Sequence, residues 1–490
     1  SKKQRSFLMY KLREMDIDDK VCEQVDVALL SQVYPREVIE RCVGQNGPWK
    51  EKRRRVRQST ILALVWFVIA MALWSRLSQC LVWEKLVTKL TDIHPAEPDA
   101  QLSASALSGR RAALGHTGLQ ALMQERCVVM ANRDQMPSAF FGRYRLMAID
   151  GTVFNTPDTQ ANAQAFGRSS NQYGPGAYPQ VRCVLLVECG SHVVVGLETC
   201  RYDVSEVHGA HQLLNKMGRD TLFLVDAGIT GGGFFEHIRD QKGHVLGALQ
   251  AGTWENLSRQ RRLADGSVLA WVNPSSRVKY PMKKGMWVRI ISYRLTDERL
   301  GEVGTVYRLA TTLLNPRVAP ADVLLELYHE RWEVELVIDE IKTHERAQRK
   351  VLRSKTPDGA IQEIYGIFLG HYAVRAMMAQ AAIEADVDPD RVSFTRALFQ
   401  LVEMMAFSLT LEEEAVPQLV QRLSHHLTRE LLPPRVLRVN RREIKQIYNK
   451  YKPKKRDVPP PEPFEPEDRF LDFVELLDPL APEIPQDMLK

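Results

Sequence analysis

No two of the seven cysteines stand in a Cys-x-x-Cys pair, and their number is odd. Neither a disulfide framework nor a zinc knot is signalled, and a reducing, intracellular compartment fits such usage. Phosphate-cradling loops are missing as well. Gly231-Gly232-Gly233 follows an apolar stretch, but no Lys-Ser/Thr comes after it and the spacing is not that of a dinucleotide fingerprint. His208-x2-His211 has the spacing of a metal pair on a helix without a third ligand near it. Long membrane-type runs are lacking too. The unbroken apolar run Ile61–Trp74 has 14 residues and ends before Arg76, whereas a span needs roughly 18. It reads as a buried core helix with Ser59 or Thr60 as its cap. No secretory leader is legible ahead of the first charged stretch. The charge excess is small: a net +6 and an isoelectric point near 8.8 permit a polyanionic partner without demanding one.

What is present is a chain of 490 residues, 44% apolar and 26% charged, enough for several globular domains. Residues 1–140 read as helical, with 3.6-residue periodicity and no alternation; Thr91–Ser108 reads as a loop. Residues 141–251 change character. A short apolar strand ends at Asp150-Gly151-Thr152, and two apolar segments flank Gly190-Ser191 as a hairpin. A strand ending at Asp226 and another at Val245–Leu249 follow, with helices between. This order predicts an α/β class, a mixed sheet covered by helices. Residues 252–305 read as a β-rich insertion, with Asp265-Gly266 and Lys284-Gly285 as its turns and Trp254, Trp271 and Trp287 packing it. Residues 306–380 resume the core with a strand and a long helix from about Ala321 to beyond Lys342. Residues 381–456 read as a helical, basic region and 457–490 as an acidic, Pro-rich tail. Residues 421–456 hold twelve Lys or Arg against two acids, and 457–490 hold ten acids against two bases. The basic block suits phosphates; a solvated helix face paired with the acidic tail is the alternative.

The helix around Glu335 carries the sharpest pattern. At about 100° per residue, Tyr328, Arg331, Glu335 and Lys342 share an arc of roughly 60°. Glu326, Glu330, Glu333 and Glu340 fall on nearly the opposite side as a solvated stripe, and Asp339 is a rival acid about 40° from Glu335. The set is either a group of helix ion pairs or a carboxylate for a metal with two cations for phosphates. Asp150 and Asp226 each end an apolar strand, where open sheets place ligand groups, although such Asp also serve as turn formers or caps. Together the three acids fit a phosphoryl-transfer site with two hard divalent ions about 3.5–4 Å apart.

The spacing Tyr328-x2-Arg331-x3-Glu335-x6-Lys342 resembles the Y-R-E-K signature of the insertion-sequence-four family of DDE transposases. Ala148-Ile149-Asp150-Gly151-Thr152 and Leu224-Val225-Asp226-Ala227-Gly228 look like its first and second Asp motifs, with Ala227 where the family often has Arg. The resemblance extends over about residues 5–380. It implies a ribonuclease-H-like core interrupted by the β-rich insertion and flanked by helical regions. It implies Asp150, Asp226 and Glu335 as catalytic metal ligands for two Mg2+ ions, with Mn2+ as a substitute. Tyr328, Arg331 and Lys342 would hold DNA phosphates. Tyr307, 28 positions before Glu335, would stack on a flipped base where relatives have Trp; it equally suits a core strand.

The expected activity is cut-and-paste transposition: cleavage at element ends through a hairpin, then strand transfer. The expected partners are double-stranded DNA, both terminal inverted repeats and target, and a second copy of the chain; no membrane is expected. The expected location is the bacterial cytoplasm at the nucleoid. A catalytically inactive DNA-binding regulator derived from a transposase, and a nuclease that cuts without joining, are the alternatives. Lys50–Arg57, the insertion and residues 421–456 are candidate end-reading surfaces.

Overall fold

The computed structural model describes residues 28–45, 58–93, 102–171, 174–254, 257–275, 280–300, 302–345, 350–408, 415–433, 462, 464, 465 and 467–477. The basic run 50–57, the basic block beyond 433 and most of the acidic tail lie outside them. The chain divides into two compact units. The first is Ser1–Gly142, Met147–Lys216 and Glu333–Leu432, and the second is Arg143–Leu146, Met217–Trp332 and Pro433–Lys490.

In the first unit the helix Gln58–Leu73 is the apolar run, and every residue from Ile61 to Trp74 is buried. Ser59 and Thr60 lie inside its first turn rather than capping it. It packs on the 28-residue helix Pro357–Glu384, which is itself buried along most of its length. Gly366 permits the close approach, since a Cβ there would meet the Val68 carbonyl oxygen at 2.8 Å. Burial on all sides, rather than bilayer contact, accounts for the composition. No helix among the described residues is long and apolar enough to cross a membrane. The expected loop Thr91–Ser108 yields its ends to the helices Gln79–Ile93 and Ala104–Leu114, and Ser103 accepts the Ala106 N–H as a cap.

The strands begin with β1 (Phe140–Phe141), β2 (Tyr144–Asn155), β3 (Arg168–Asn171), β4 (Gly174–Glu188) and β5 (Val194–Arg201). In the first unit β2 pairs antiparallel with β4, and β4 with β5. The β4–β5 turn contains the expected Gly190, at φ 86°, and also His192 at φ 60°. One expectation fails at β2. The strand does not end before Asp150-Gly151 but runs to Asn155, with Asp150 opposite Leu185 and Asn155 opposite Gln180. The glycine serves close packing rather than a turn. A Cβ on Gly151 would lie 2.4 Å from Cδ of Glu206, whose carboxylate is held by Arg182. Gly151→Ala should therefore push the flexible Glu206 side chain aside and weaken its part-exposed pair with Arg182, lowering stability by up to about 1 kcal/mol. Thermal melts would show a lower midpoint, with little added loss when Glu206→Ala is already in place; an unchanged midpoint in the single variant would refute this packing account.

The second unit holds β6 (Thr221–Val225), β7 (His244–Ala248), β8 (Ser258–Arg262), β9 (Val268–Val272), β10 (Met286–Leu295), β11 (Val306–Thr311) and β12 (Val474–Leu477). The first residues of β2 lie beside β6, with Arg145 N–H donating to the Asp220 carbonyl at 2.8 Å. β6 pairs parallel with β7 across the helix Gly232–Asp240. The strand order is thus β5-β4-β2 in one unit and β2-β6-β7 in the other. Three consecutive antiparallel strands followed along the chain by helix, strand, helix, strand are the element order of a ribonuclease-H-like core. The insertion adds β8, β9 and β10, turning at Asp265-Gly266 as expected. Buried Arg289 ties this turn down by pairing with Asp265, whose carboxylate also accepts the Ala321 N–H that opens the next helix.

One further reading is corrected. The long helix from Ala321 is broken into Ala321–His329 and Trp332–Asp339, followed by a π-helical turn at Glu340–Glu345. The helical wheel that placed Tyr328, Arg331, Glu335 and Lys342 on one arc presumes an unbroken helix, so that premise is lost. Part of the acidic, Pro-rich tail is docked on the second unit. Phe464 is buried between the Arg299 guanidinium, 3.7 Å from its ring centre, and the Phe473 ring at 5.0 Å, and β12 extends the sheet along β10.

Candidate active site

In the second unit β6 is buried throughout, and Asp226 follows its last residue into solvent. The local sequence explains the turn. The Asp226 carboxylate accepts the Gly228 N–H at 3.3 Å, and its carbonyl accepts the Thr230 hydroxyl at 2.9 Å. Such an Asx-type turn leaves carboxylate lone pairs facing outward. The helix Ala321–His329 brings Tyr328 to this strand end. Its hydroxyl donates to the Val225 carbonyl at 3.1 Å, one residue before the acid. Burial pushes the phenol up to about 12; Arg331 opposes that rise and the Asp226 charge adds to it. The Arg331 guanidinium is buried beside the Tyr328 ring at 5.8 Å and the Trp332 ring at 5.3 Å. Tyr307 stands on β11 with its ring stacked on Tyr293 at 5.5 Å, and its hydroxyl accepts the Glu302 N–H. Burial raises the Tyr293 phenol, with Tyr328 and Tyr307 adding to the rise. Asp226, Tyr328, Arg331 and Tyr307 therefore share one neighbourhood.

The first unit holds Asp150, Glu335 and Lys342. Asp150 is half-buried in mid-strand, with its carboxylate accepting the Gly151 N–H at 2.7 Å. Residues 150, 152 and 154 alternate onto one face of β2, and Lys342 Nζ lies 5.9 Å from the Phe154 ring centre. The cation thus sits over the same strand face as Asp150. Glu335 is half-buried on the helix Trp332–Asp339. Asp339, the rival acid, is exposed and accepts the Thr343 hydroxyl at 2.7 Å.

The expected solvated Glu stripe is overturned at two of its members. Glu333 and Glu340 are buried, at 5% and 9% exposure. Glu333 accepts the Gly190 N–H at 2.8 Å, and Glu340 takes Arg375 through Nε at 3.0 Å and His371 through Nε2 at 3.0 Å. Period-3.6 reasoning could assign these acids a face but not a buried partner, because Arg375, His371 and the Gly190 turn are remote in sequence.

His192, Glu333 and Asp390 lie close enough to suggest a metal site. The chemistry is against it. An Arg375 nitrogen lies 2.8 Å from His192 Nδ1. A guanidinium only donates, so Nδ1 carries the lone pair and Nε2 the proton. That proton faces Asp390 at 3.2 Å and Glu333 at 3.4 Å. A ring in this tautomer has no lone pair on Nε2 for an ion. Asp150 and Glu335 of the first unit are half-buried and Asp226 of the second is exposed; each is a carboxylate, the hard oxygen type that divalent ions of the Mg2+ type prefer.

Comparison with known families bears on this site. Residues 141–372 match the family described as transposase DDE domain, and residues 24–124 match the one described as insertion element 4 transposase N-terminal. The chain is a DDE-type transposase, an enzyme whose substrate is DNA and whose chemistry uses a divalent metal. It belongs to the insertion-sequence-four (IS4) family. The transposase InsG of insertion sequence element IS4 from Escherichia coli (strain K12) is 28% identical over 418 residues, which are 85% of this chain and 91% of that one. A solved piggyBac transposase synaptic complex with hairpin DNA aligns over 91% of both chains at 11% identity. Its TM-score is 0.38.

Proposed function

We propose that the protein excises its element by cut-and-paste and inserts it elsewhere, with Asp150, Asp226 and Glu335 as the carboxylates that hold two Mg2+ ions. The observation that carries this reading is the neighbourhood of Asp226. The Tyr and Arg of the Y-R-E-K run are held against the end of the strand that presents the second acid. A spacing pattern and a strand-end carboxylate, found independently in the sequence, meet within one unit.

Bound divalent ions would supply Lewis acidity to the attacking and leaving oxygens of the phosphodiester. The protein's own groups do the rest. Tyr328 fixes the strand end through Val225, so Asp226 is presented without a search over conformations. Lys342 attracts and orients DNA phosphates as a point charge, and Arg331 adds a planar donor fork only if a phosphate reaches it past the Tyr328 and Trp332 rings that bury it. Tyr328 joins them on a phosphate only if its hydroxyl leaves Val225. Tyr307 offers a ring for a flipped base only if that base displaces or joins the Tyr293 stack. Cleavage proceeds through a hairpin and ends in strand transfer; the acting assembly is a homodimer on the paired ends, and Mn2+ substitutes for Mg2+.

The test is a denaturing-gel assay of the full chain with Mg2+, a labelled duplex carrying the ends of its own element, and a target plasmid. Nicked, hairpin and joined products are expected in that order. End binding without any cleavage would instead identify a DNA-binding regulator, and cutting without joining a nuclease; either result removes the proposal.

A further inference from the structure

The helix that carries Glu335 is only eight residues long. A helix that short has little stability of its own, so its direction is set by what holds its ends. Both ends are held by buried acids. At its start Glu333 accepts the Gly190 N–H at 2.8 Å and lies 3.4 Å from His192 Nε2. Just past its end Glu340 is gripped by Arg375 and His371. The π-helical turn begins at Glu340, where an altered register re-aims the side chains that follow. One guanidinium connects the two anchors. Arg375 meets both oxygens of Glu340 and also donates to His192 Nδ1 at 2.8 Å. The chain of contacts Glu340–Arg375–His192–Glu333 is therefore a closed brace around the segment bearing Glu335. All of its members lie in the first unit.

We propose that Arg375 is a positioning residue for the metal-binding carboxylate of Glu335, acting through this brace and touching neither metal nor DNA. The inference rests on the reading of Glu335 as a metal ligand. Arg is the fitting residue type, because three contacts in two directions need a planar fork, whereas a Lys ammonium satisfies Glu340 as a point charge and leaves His192. Outer partners of metal ligands typically set affinity by about 10–100-fold through ligand orientation.

The test measures Mn2+ binding to the full chain by loss of the free-ion electron paramagnetic resonance signal, with melting temperature recorded alongside. Arg375→Lys should raise the half-saturating Mn2+ concentration about 10-fold or more at a temperature where the variant is folded. His192→Asn leaves the Arg375–Glu340 pair intact, and Asn tolerates the left-handed backbone at this position. It should shift binding in the same direction by a smaller factor, and it decides the matter if Arg375→Lys does not fold. A stabilising role alone would lower the melting temperature and leave the binding midpoint in place. Glu335→Gln is the control. If it binds Mn2+ like the wild type, the metal reading of Glu335 falls, and the positioning role with it. If it loses binding while both brace variants bind at the wild-type midpoint, only the positioning role falls.

Discussion

In an end-cleavage assay with Mg2+, Glu335→Gln, Asp150→Asn and Asp226→Asn should each cut more slowly than the wild type by on the order of 10^3-fold or more. Each should still retard the end duplex in a gel. The magnitude follows from a comparison of roles. Loss of an outer partner of a metal ligand costs about 10–100-fold, and loss of a charged ligand itself removes more, because the ion's charge stabilisation goes with it. Amide replacements keep the shape of each side chain, so packing around half-buried Asp150 and Glu335 is preserved. The substitution at Asp226 also keeps an acceptor for the Gly228 N–H, and the turn after β6 survives. Binding persists because the phosphate contacts are assigned to Arg331 and Lys342 rather than to the acids. Lys342→Ala should behave in the opposite way, weakening binding and lowering the salt slope of the affinity by about 1. Any one of the three acid variants cutting within 10-fold of the wild-type rate would remove that residue from the site.

The elements that could be read in the sequence are those whose burial is uniform or alternates simply. The run Ile61–Trp74 is a core helix because nothing polar interrupts it. β6 and β7 are short, wholly or mostly apolar and bounded by turn residues. The insertion strands β9 and β10 show as apolar or alternating runs, β9 directly after the turn at Asp265-Gly266. Sequence spacing also picked out Asp226 at a strand end together with Tyr328, which the structure sets against that end. What stayed hidden depends on distant partners. Asp150-Gly151 has the composition of a turn, yet β4 pairs straight through it and Glu206 fills the space a side chain would take. The helix break between His329 and Trp332 contains no Gly or Pro, so propensity gives no warning. The anchors that fix the next segment come from residues 190 and 375. The docked tail had one usable signal, the aromatic set Phe464, Phe470 and Phe473 within an acidic stretch. Phe470 stacks on His329 at 5.0 Å, and Phe473 packs on Phe464. Charge counting alone concealed it.

Glu340→Ala should destabilise the protein by about 3–5 kcal/mol, since removing one partner leaves Arg375 buried without its counter-charge. The pH dependence of the wild type gives a second reading of the same contact. Burial pushes the Glu340 carboxyl up, but the opposing charge of Arg375, the hydrogen bond from His371 and the nearby His192 outweigh burial and hold it at about 2. An unfolded chain binds the proton near the ordinary Glu value of about 4.3. The folded value is the lower one, so the contact contributes fully above the unfolded value and is lost as pH falls toward about 2. A difference of about two units corresponds to roughly 3 kcal/mol, in line with the cost expected for the alanine variant. Glu340→Gln keeps the size and removes the titration. Melting temperatures of the wild type and Glu340→Gln, taken from pH 7 down to pH 2, should lie well apart at pH 7, draw together below about pH 4 and meet near pH 2. A gap that stays constant across that window would mean that Glu340 is not held ionised by Arg375, and the brace around Glu335 would lose its central ion pair.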